Sequence, residues 1–254
     1  MNFETNVRSG NLLLDSLPAD DFQVISGLIE EVSITRHSIL QTAHQPIDHA
    51  YFFYDGLATM RAVAGGKRIG TARIGREGVI GASLLIGDTV SPFDCLSLTS
   101  GSAYRLTARQ FLEALQRSGP LARATGKYIQ ALWIQSSYNT LAGRTAIQVR
   151  VARLILMFHD RLTDDHFRIT HDIVAEILGV RRPSISTALA ELEECEAIRS
   201  KNKTIYITDR RQLENAAGGS YGQAESEYLR LLKFPASHGG AQPAERGDEN
   251  GDQT

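Results

Sequence analysis

Cysteine is scarce in this sequence: Cys95 and Cys195 are the only two among 254 residues. Two thiols cannot build a disulfide framework, and with no Cys-x-x-Cys pair they offer no zinc-finger spacing. Nor can they supply the four ligands of an iron–sulfur cluster. Their simplest reading is as small, partly buried apolar side chains. Long apolar runs are missing as well; none approaches the roughly 20 residues needed to cross a bilayer. The opening Met1-Asn2-Phe3-Glu4-Thr5 lacks the basic-then-apolar pattern of a secretory signal. Together these absences predict a reducing, cytoplasmic setting and no membrane partner. Gly-x-Ser-x-Gly, His-Glu-x-x-His and phosphate-loop motifs are also absent, so no enzyme is expected. His37, His44 and His49 are isolated on strand-rich sequence, where a histidine is usually solvated, and no metal or cofactor is expected.

A strong charge of either sign is lacking too. The formal net charge is −2, with 42% hydrophobic and 22% charged residues, an ordinary globular balance. The distribution says more than the sum. Arg199, Lys201, Lys203, Arg210 and Arg211 face only Asp209 between residues 199 and 211, and Arg181 and Arg182 have no acid within three residues. Such local clusters set the potential that a phosphate backbone feels.

A chain of this length suggests two modest domains. After Pro18 the sequence to Glu31 reads as helix, with Phe22, Ile25, Leu28 and Ile29 at helical spacing. From Val32 to Thr107 the pattern shifts to short β-rich segments (50–54, 57–63, 68–74 and 94–99) separated by glycine turns, which indicates an antiparallel barrel or sandwich. Residues 108–117 read as a short helix. Ser118-Gly119-Pro120 then opens a long one, with Leu121, Ala124, Tyr128, Ala131, Gln135, Tyr138 and Ala142 at alternating three- and four-residue spacings and Ile129, Leu132, Trp133 and Ile134 on other sides. A helix with one seam for a sensor domain and another for a partner helix has this pattern. A further helix carries Ile147, Val151, Leu154, Ile155 and Phe158, and residues 163–166 read as a polar linker. Tyr221 to Phe234 could form a short helix; the tail as a whole, 217–254, is expected to be largely disordered, above all after Pro235.

The informative stretch is 169–194. Thr170 suits the N-cap of a helix ending at Leu178. Ala175 is small enough for a second helix to cross close by, and Gly179 can turn the chain through a left-handed conformation. Val180 plugs the angle. Pro183 fits the first turn of a second helix, whose buried stripe is Ile185, Leu189 and Leu192. This leaves Arg181, Arg182, Ser184, Ser186 and Thr187 on the polar side near its start, where a recognition helix reads bases in the major groove. Two short strands around Lys201-Asn202-Lys203 follow as a wing able to touch phosphates.

In this order the chain resembles the Crp/Fnr family of bacterial transcription regulators over about Leu12 to Leu213. The resemblance implies an α+β fold. An antiparallel β-roll of the cyclic-nucleotide-binding type would span 12–120, a dimerisation helix 121–144, and a winged helix-turn-helix 145–216. It implies a homodimer on an inverted-repeat site in double-stranded DNA, with RNA polymerase as a further partner. By position Arg182 matches the family's guanine-reading arginine, and Thr170 and His171 match residues at the phosphate backbone. Pro183 and Thr187 replace a base-contacting glutamate and a common second arginine, so a different operator is expected. In the segment 79–86, Gly81 matches the family's ribose-binding Gly-Glu pair but Ala82 replaces the glutamate. No arginine follows between 87 and 94 to hold a cyclic phosphate, and Arg73 or Arg76 could substitute only if the loop differs. Gln135 and Ser136 lie where the family's long helix reaches toward its ligand. The effector is therefore an unknown small molecule, with Gly81, Gln135 and Ser136 as candidate contacts. The competing reading is a β-roll module for protein–protein regulation without specific DNA binding.

Overall fold

Pro18 and Gly27 bracket the second of two short helices at the start of the chain, α1 (Leu12–Asp15) and α2 (Ala19–Ser26). The computed structural model describes residues 9–232. The expected helix to Glu31 therefore stops early: Gly27 ends α2, and Glu30 and Glu31 already belong to β1 (Glu30–Ile34), paired antiparallel with a strand about 70 residues on. Local periodicity could not register that pairing.

The roll continues through β2 (Ile39–Gln41), β3 (His49–Asp55), β4 (Ala58–Ala64), β5 (Lys67–Ile74), β6 (Asp94–Ser97) and β7 (Gly101–Thr107). These form two antiparallel sheets, β1–β7–β3 and β2–β6–β4–β5. The roll and the segments packed on it bury Phe52, Phe53, Ile74, Ile80, Leu84 and Leu106. Phe52 meets Phe111 edge to face, with ring centroids 5.6 Å apart. At Gly56, φ is +95° and a Cβ would lie 3.2 Å from the Gly101 Cα, so the β3–β4 turn can cross the start of β7 only as glycine.

Thr107 and Gln110 form a reciprocal cap at the start of α3 (Ala108–Arg117). Ser118 caps α4 (Gly119–Ala142), accepting from the Leu121 N–H. Of the seam read from the sequence, Leu121, Tyr128, Ala131, Gln135 and Ala142 are buried within the chain. On the opposite side Gln130, Trp133, Ser137 and Leu141 are exposed, Trp133 by 68%.

The second half comprises α5 (Ile147–His159), β8 (His166–Arg168), α6 (His171–Leu178), α7 (Arg182–Glu194), β9 (Ile198–Lys201), β10 (Thr204–Ile207), α8 (Arg210–Ala217) and α9 (Gln223–Leu232). Every residue of α5 from Val151 to His159 is buried, so this helix is the spine of the second core. Phe167, next to the expected linker, lies in β8 and meets Phe158 at 5.3 Å, edge to face. The short helix read between Tyr221 and Phe234 is present as α9, and the tail expected to be largely disordered from 217 is ordered as far as it is described. Gly218 and Gly222 take positive φ and turn the chain back, and α9 buries Tyr228 and Leu232 in the first core beside Tyr128. Burial of two large side chains offsets the ordering entropy that composition alone predicted would win. The expectation for residues after Pro235 lies outside the described residues. Of the two thiols, Cys95 is buried, its pKa pushed up to about 12 by burial. Cys195 is exposed, a correction to its reading as a partly buried side chain: it caps the end of α7, where the chain leaves the core.

Side chains tie the two halves together. Arg61 of β4 binds Asp94 at 3.2 Å and reaches Glu176 of α6 at 2.7 Å. Arg161 binds Glu77 at 2.8 Å, both buried. Asn139 of α4 donates to the Thr71 carbonyl of β5 and accepts from Arg153 of α5. Gly70 lies against Ile177, and Gly179 against Ile69. No helix among the described residues is long and apolar enough to cross a membrane.

Candidate nucleic-acid interface

The local chemistry of 169–194 produces the expected corner. The Thr170 hydroxyl accepts from the Ile173 N–H and caps α6, which buries Val174, Ala175 and Ile177. Gly179 ends it at φ +64°, and the Val180 N–H returns to the Ala175 carbonyl at 3.0 Å. Arg181 is the N-cap of α7 and Pro183 falls in its first turn, where a missing N–H leaves no bond unmade. Ile185, Ala188, Leu189 and Leu192 are buried beneath.

The opposite face of α7 is open. Arg181, Arg182, Ser186 and Thr187 are exposed and Ser184 is half-buried. The Thr187 hydroxyl bonds back to the Pro183 carbonyl at 3.3 Å, which turns its methyl group into the free contact. The first turn of α6 touches this face twice. His171 Nδ1 and Ser186 Oγ share a hydrogen bond of 3.0 Å, and Arg182 Nε stands 3.2 Å from an Asp172 carboxylate oxygen. Thus Thr170, His171, Arg182 and Ser186 fall on one small surface. Asp172 also belongs to it and was not singled out from the sequence. Its pairing depends on how α6 and α7 cross, which sequence spacing does not encode.

Beside this surface β8–β10–β9 forms the wing. Asn202 and Lys203 both take positive φ in a two-residue turn, matching the right-handed twist of the strands they join. Lys201 and Lys203 are exposed at its tip, and the Lys203 carbonyl accepts from the Ile169 N–H just before the α6 cap. Phe167, Ile198 and Ile205 face inward, so Arg168, Arg199, Lys201 and Tyr206 face out. Arg168 and Tyr206 were missed because β8 is only three residues long and is defined by register with β10.

Residues 149–216 match the family described as the Crp-like helix-turn-helix domain. This segment is a Crp-like helix-turn-helix domain. No curated protein matches the chain in sequence. Solved structures match along its length: FixK2 from Bradyrhizobium japonicum has a TM-score of 0.65 at 18% identity, covering 76% of this chain and 98% of its own. A Crp-family transcriptional regulator from Thermus thermophilus has a TM-score of 0.61 at 19% identity, covering 74% and 97%. The c-di-GMP-responsive regulator CLP of Xanthomonas campestris has a TM-score of 0.59 at 11% identity, covering 75% and 99%. The fold around the Crp-like domain is that of the Crp/Fnr regulators, as the resemblance implied: α+β, with an antiparallel N-terminal roll.

Ahead of the Crp-like domain, the three candidate effector contacts are engaged within the chain. Gly81 takes φ +92° at the start of a 3-10 turn, and a Cβ there would meet Ala50. The Gln135 side-chain oxygen accepts from the Arg73 N–H at 2.6 Å, and its amide nitrogen donates to the Arg73 carbonyl. Ser136 is half-buried, its carbonyl bonded by Thr140. Arg73 itself is 2% exposed, with no carboxylate beside it among the described residues. Its hydrogen bonds go to Thr59 and its own strand, and burial with Arg153 and Arg161 nearby lowers its pKa to about 9.

Proposed function

We propose that this chain is a sequence-specific DNA-binding transcription regulator of the Crp/Fnr type, acting as a homodimer on an inverted repeat. The observation that carries the reading is the exposed start of α7. Arg181, Arg182, Ser186 and Thr187 stand exposed above a buried stripe, inside a Crp-like domain and beside a basic wing. In this reading Arg182 forks onto a guanine and Ser184, Ser186 and Thr187 meet neighbouring base edges. Thr170, His171, Arg181, Lys201 and Lys203 hold phosphates. The partner helix packs on the outward stripe Gln130, Trp133, Ser137 and Leu141 of α4, which exposes a large aromatic side chain at coiled-coil spacing. RNA polymerase is the downstream partner. An effector at Gly81, Gln135 and Ser136 would exchange its own hydrogen bonds for the Gln135 clamp on β5, linking ligand binding to the strand that faces α6.

Replacing Arg182 by Ala tests the reading. Binding to the preferred site is expected to weaken by about 1–3 kcal/mol, with discrimination lost at one base pair. Unchanged affinity and specificity would favour the alternative, a β-roll regulatory module without specific DNA binding.

A further inference from the structure

We infer that Asp172 is a specificity-determining positioning residue: it holds the Arg182 guanidinium in the orientation that reads guanine. The inference rests on the proposed reading of Arg182. It starts from an acid in the wrong place for simple electrostatics. Asp172 is exposed on the surface that faces DNA, where a carboxylate repels phosphate, yet it sits 3.2 Å from Arg182 Nε. An arginine has five donors in a planar fork. Asp172 stands beside the Nε edge at ion-pair distance, and neither Nη1 nor Nη2 has a partner among the described residues. That pair of donors is the one that matches guanine O6 and N7.

The neighbouring pair repeats the arrangement. Arg182 and Ser186 are one helical turn apart on the same face of α7. Each is met by an adjacent residue of the first α6 turn, Arg182 by Asp172 and Ser186 by His171. Two adjacent residues of α6 thus stand beside the side chains of α7 that face DNA in the proposed reading. In solvent the Asp172–Arg182 pair contributes little to stability, because both side chains are well over half exposed. Its effect lies in the complex, where water is excluded and a long side chain need not be ordered anew on binding.

The two roles of Asp172 give opposite signs, and this makes the test decisive. Fluorescence anisotropy would compare wild type, Asp172→Ala, Asp172→Glu and Arg182→Ala. Each would be measured on a duplex carrying the site that wild type enriches from a random pool, on that site with the Arg182-read guanine changed to adenine, and on a random-sequence duplex. Asp172→Ala is expected to lower guanine-over-adenine discrimination by about five-fold, a part of the roughly five- to hundred-fold that a bidentate pair supplies. The same variant should bind the random duplex more tightly, because a charge repelling phosphate is gone. Asp172→Glu keeps the charge and should recover part of the discrimination. Thermal melting of the variants should match wild type, since the Asp172 side chain is largely exposed. Loss of discrimination in Arg182→Ala but full discrimination in Asp172→Ala would overturn the positioning role alone. Greater guanine-over-adenine discrimination by Asp172→Ala than by wild type would also overturn it, since the carboxylate would then compete with the base. If Arg182→Ala itself keeps full discrimination, the reading of Arg182 fails and the inference falls with it.

Discussion

Arg73 shows what a single residue contributes when burial and charge conflict. Its guanidinium is removed from water without a carboxylate among the described residues to compensate, and two further arginines stand near enough to oppose its charge. Its backbone, by contrast, is held from both sides by Gln135. A substitution that keeps the backbone and the stem while deleting the charge should therefore stabilise the fold. Arg73→Met is expected to raise stability at neutral pH by about 1–3 kcal/mol, measured by denaturant unfolding. The pH dependence follows from the sign of the shift. With the folded-state pKa lowered to about 9, the penalty is fully present below that pH. As pH rises through about 9 the folded protein loses a proton that the unfolded chain keeps, so wild type gains stability relative to the variant. The gap between the two should narrow above that pH; a gap that is absent near neutral pH, or that widens as pH rises, would contradict the assignment.

At the scale of elements, the helix read between Tyr221 and Phe234 is present as α9, and the departure from expectation is where it packs. The matched helix-turn-helix domain ends at residue 216, and α9 follows it, yet its large side chains lie in the N-terminal core. Tyr228 meets Tyr128 of α4 edge to face at 6.2 Å, and Arg161 lies 5.9 Å from the Tyr228 ring. Tyr228→Ala is therefore expected to destabilise the protein by about 3 kcal/mol, as for other large-to-small core changes. Hydrogen exchange should show the loss around Tyr128 in α4 and not in α7; loss confined to α7 would refute this packing.

The same element explains what could and could not be read beforehand. The α6–α7 corner was legible because Thr170, Gly179 and Pro183 each act on their own backbone, and Ile185, Leu189 and Leu192 repeat at the helix period. Strands β3 to β6 were legible from alternation and glycine turns. The beginning of β1, all of β8 and the seating of α9 were not, because their partners are distant in sequence: β1 pairs with β7, β8 with β10, and Tyr228 with Tyr128. The candidate site divides in the same way. Its outward residues followed from helix geometry, while Asp172 and the outer wing face needed the packing of one element on another.

Across the whole molecule, the Crp-like domain is held against the N-terminal roll by contacts of different kinds. Arg61 joins β4 and β6 to α6, Arg161 joins the end of α5 to Glu77, and Asn139 passes from β5 through α4 to Arg153. Gln135 lies in the same seam, so a rearrangement at α4 has a physical route to the helix that positions Asp172 and, through it, Arg182. On the proposed reading, a head fixed in this way meets DNA in one orientation, and two copies joined along α4 meet two half-sites. Selection of bound duplexes from a random-sequence pool by the full-length protein tests this most directly. The account predicts enrichment of an inverted repeat whose half-sites are centred about one helical turn, ~34 Å, apart. A guanine contacted by Arg182 should be fixed in each half. Recovery of no motif above the starting pool would contradict it.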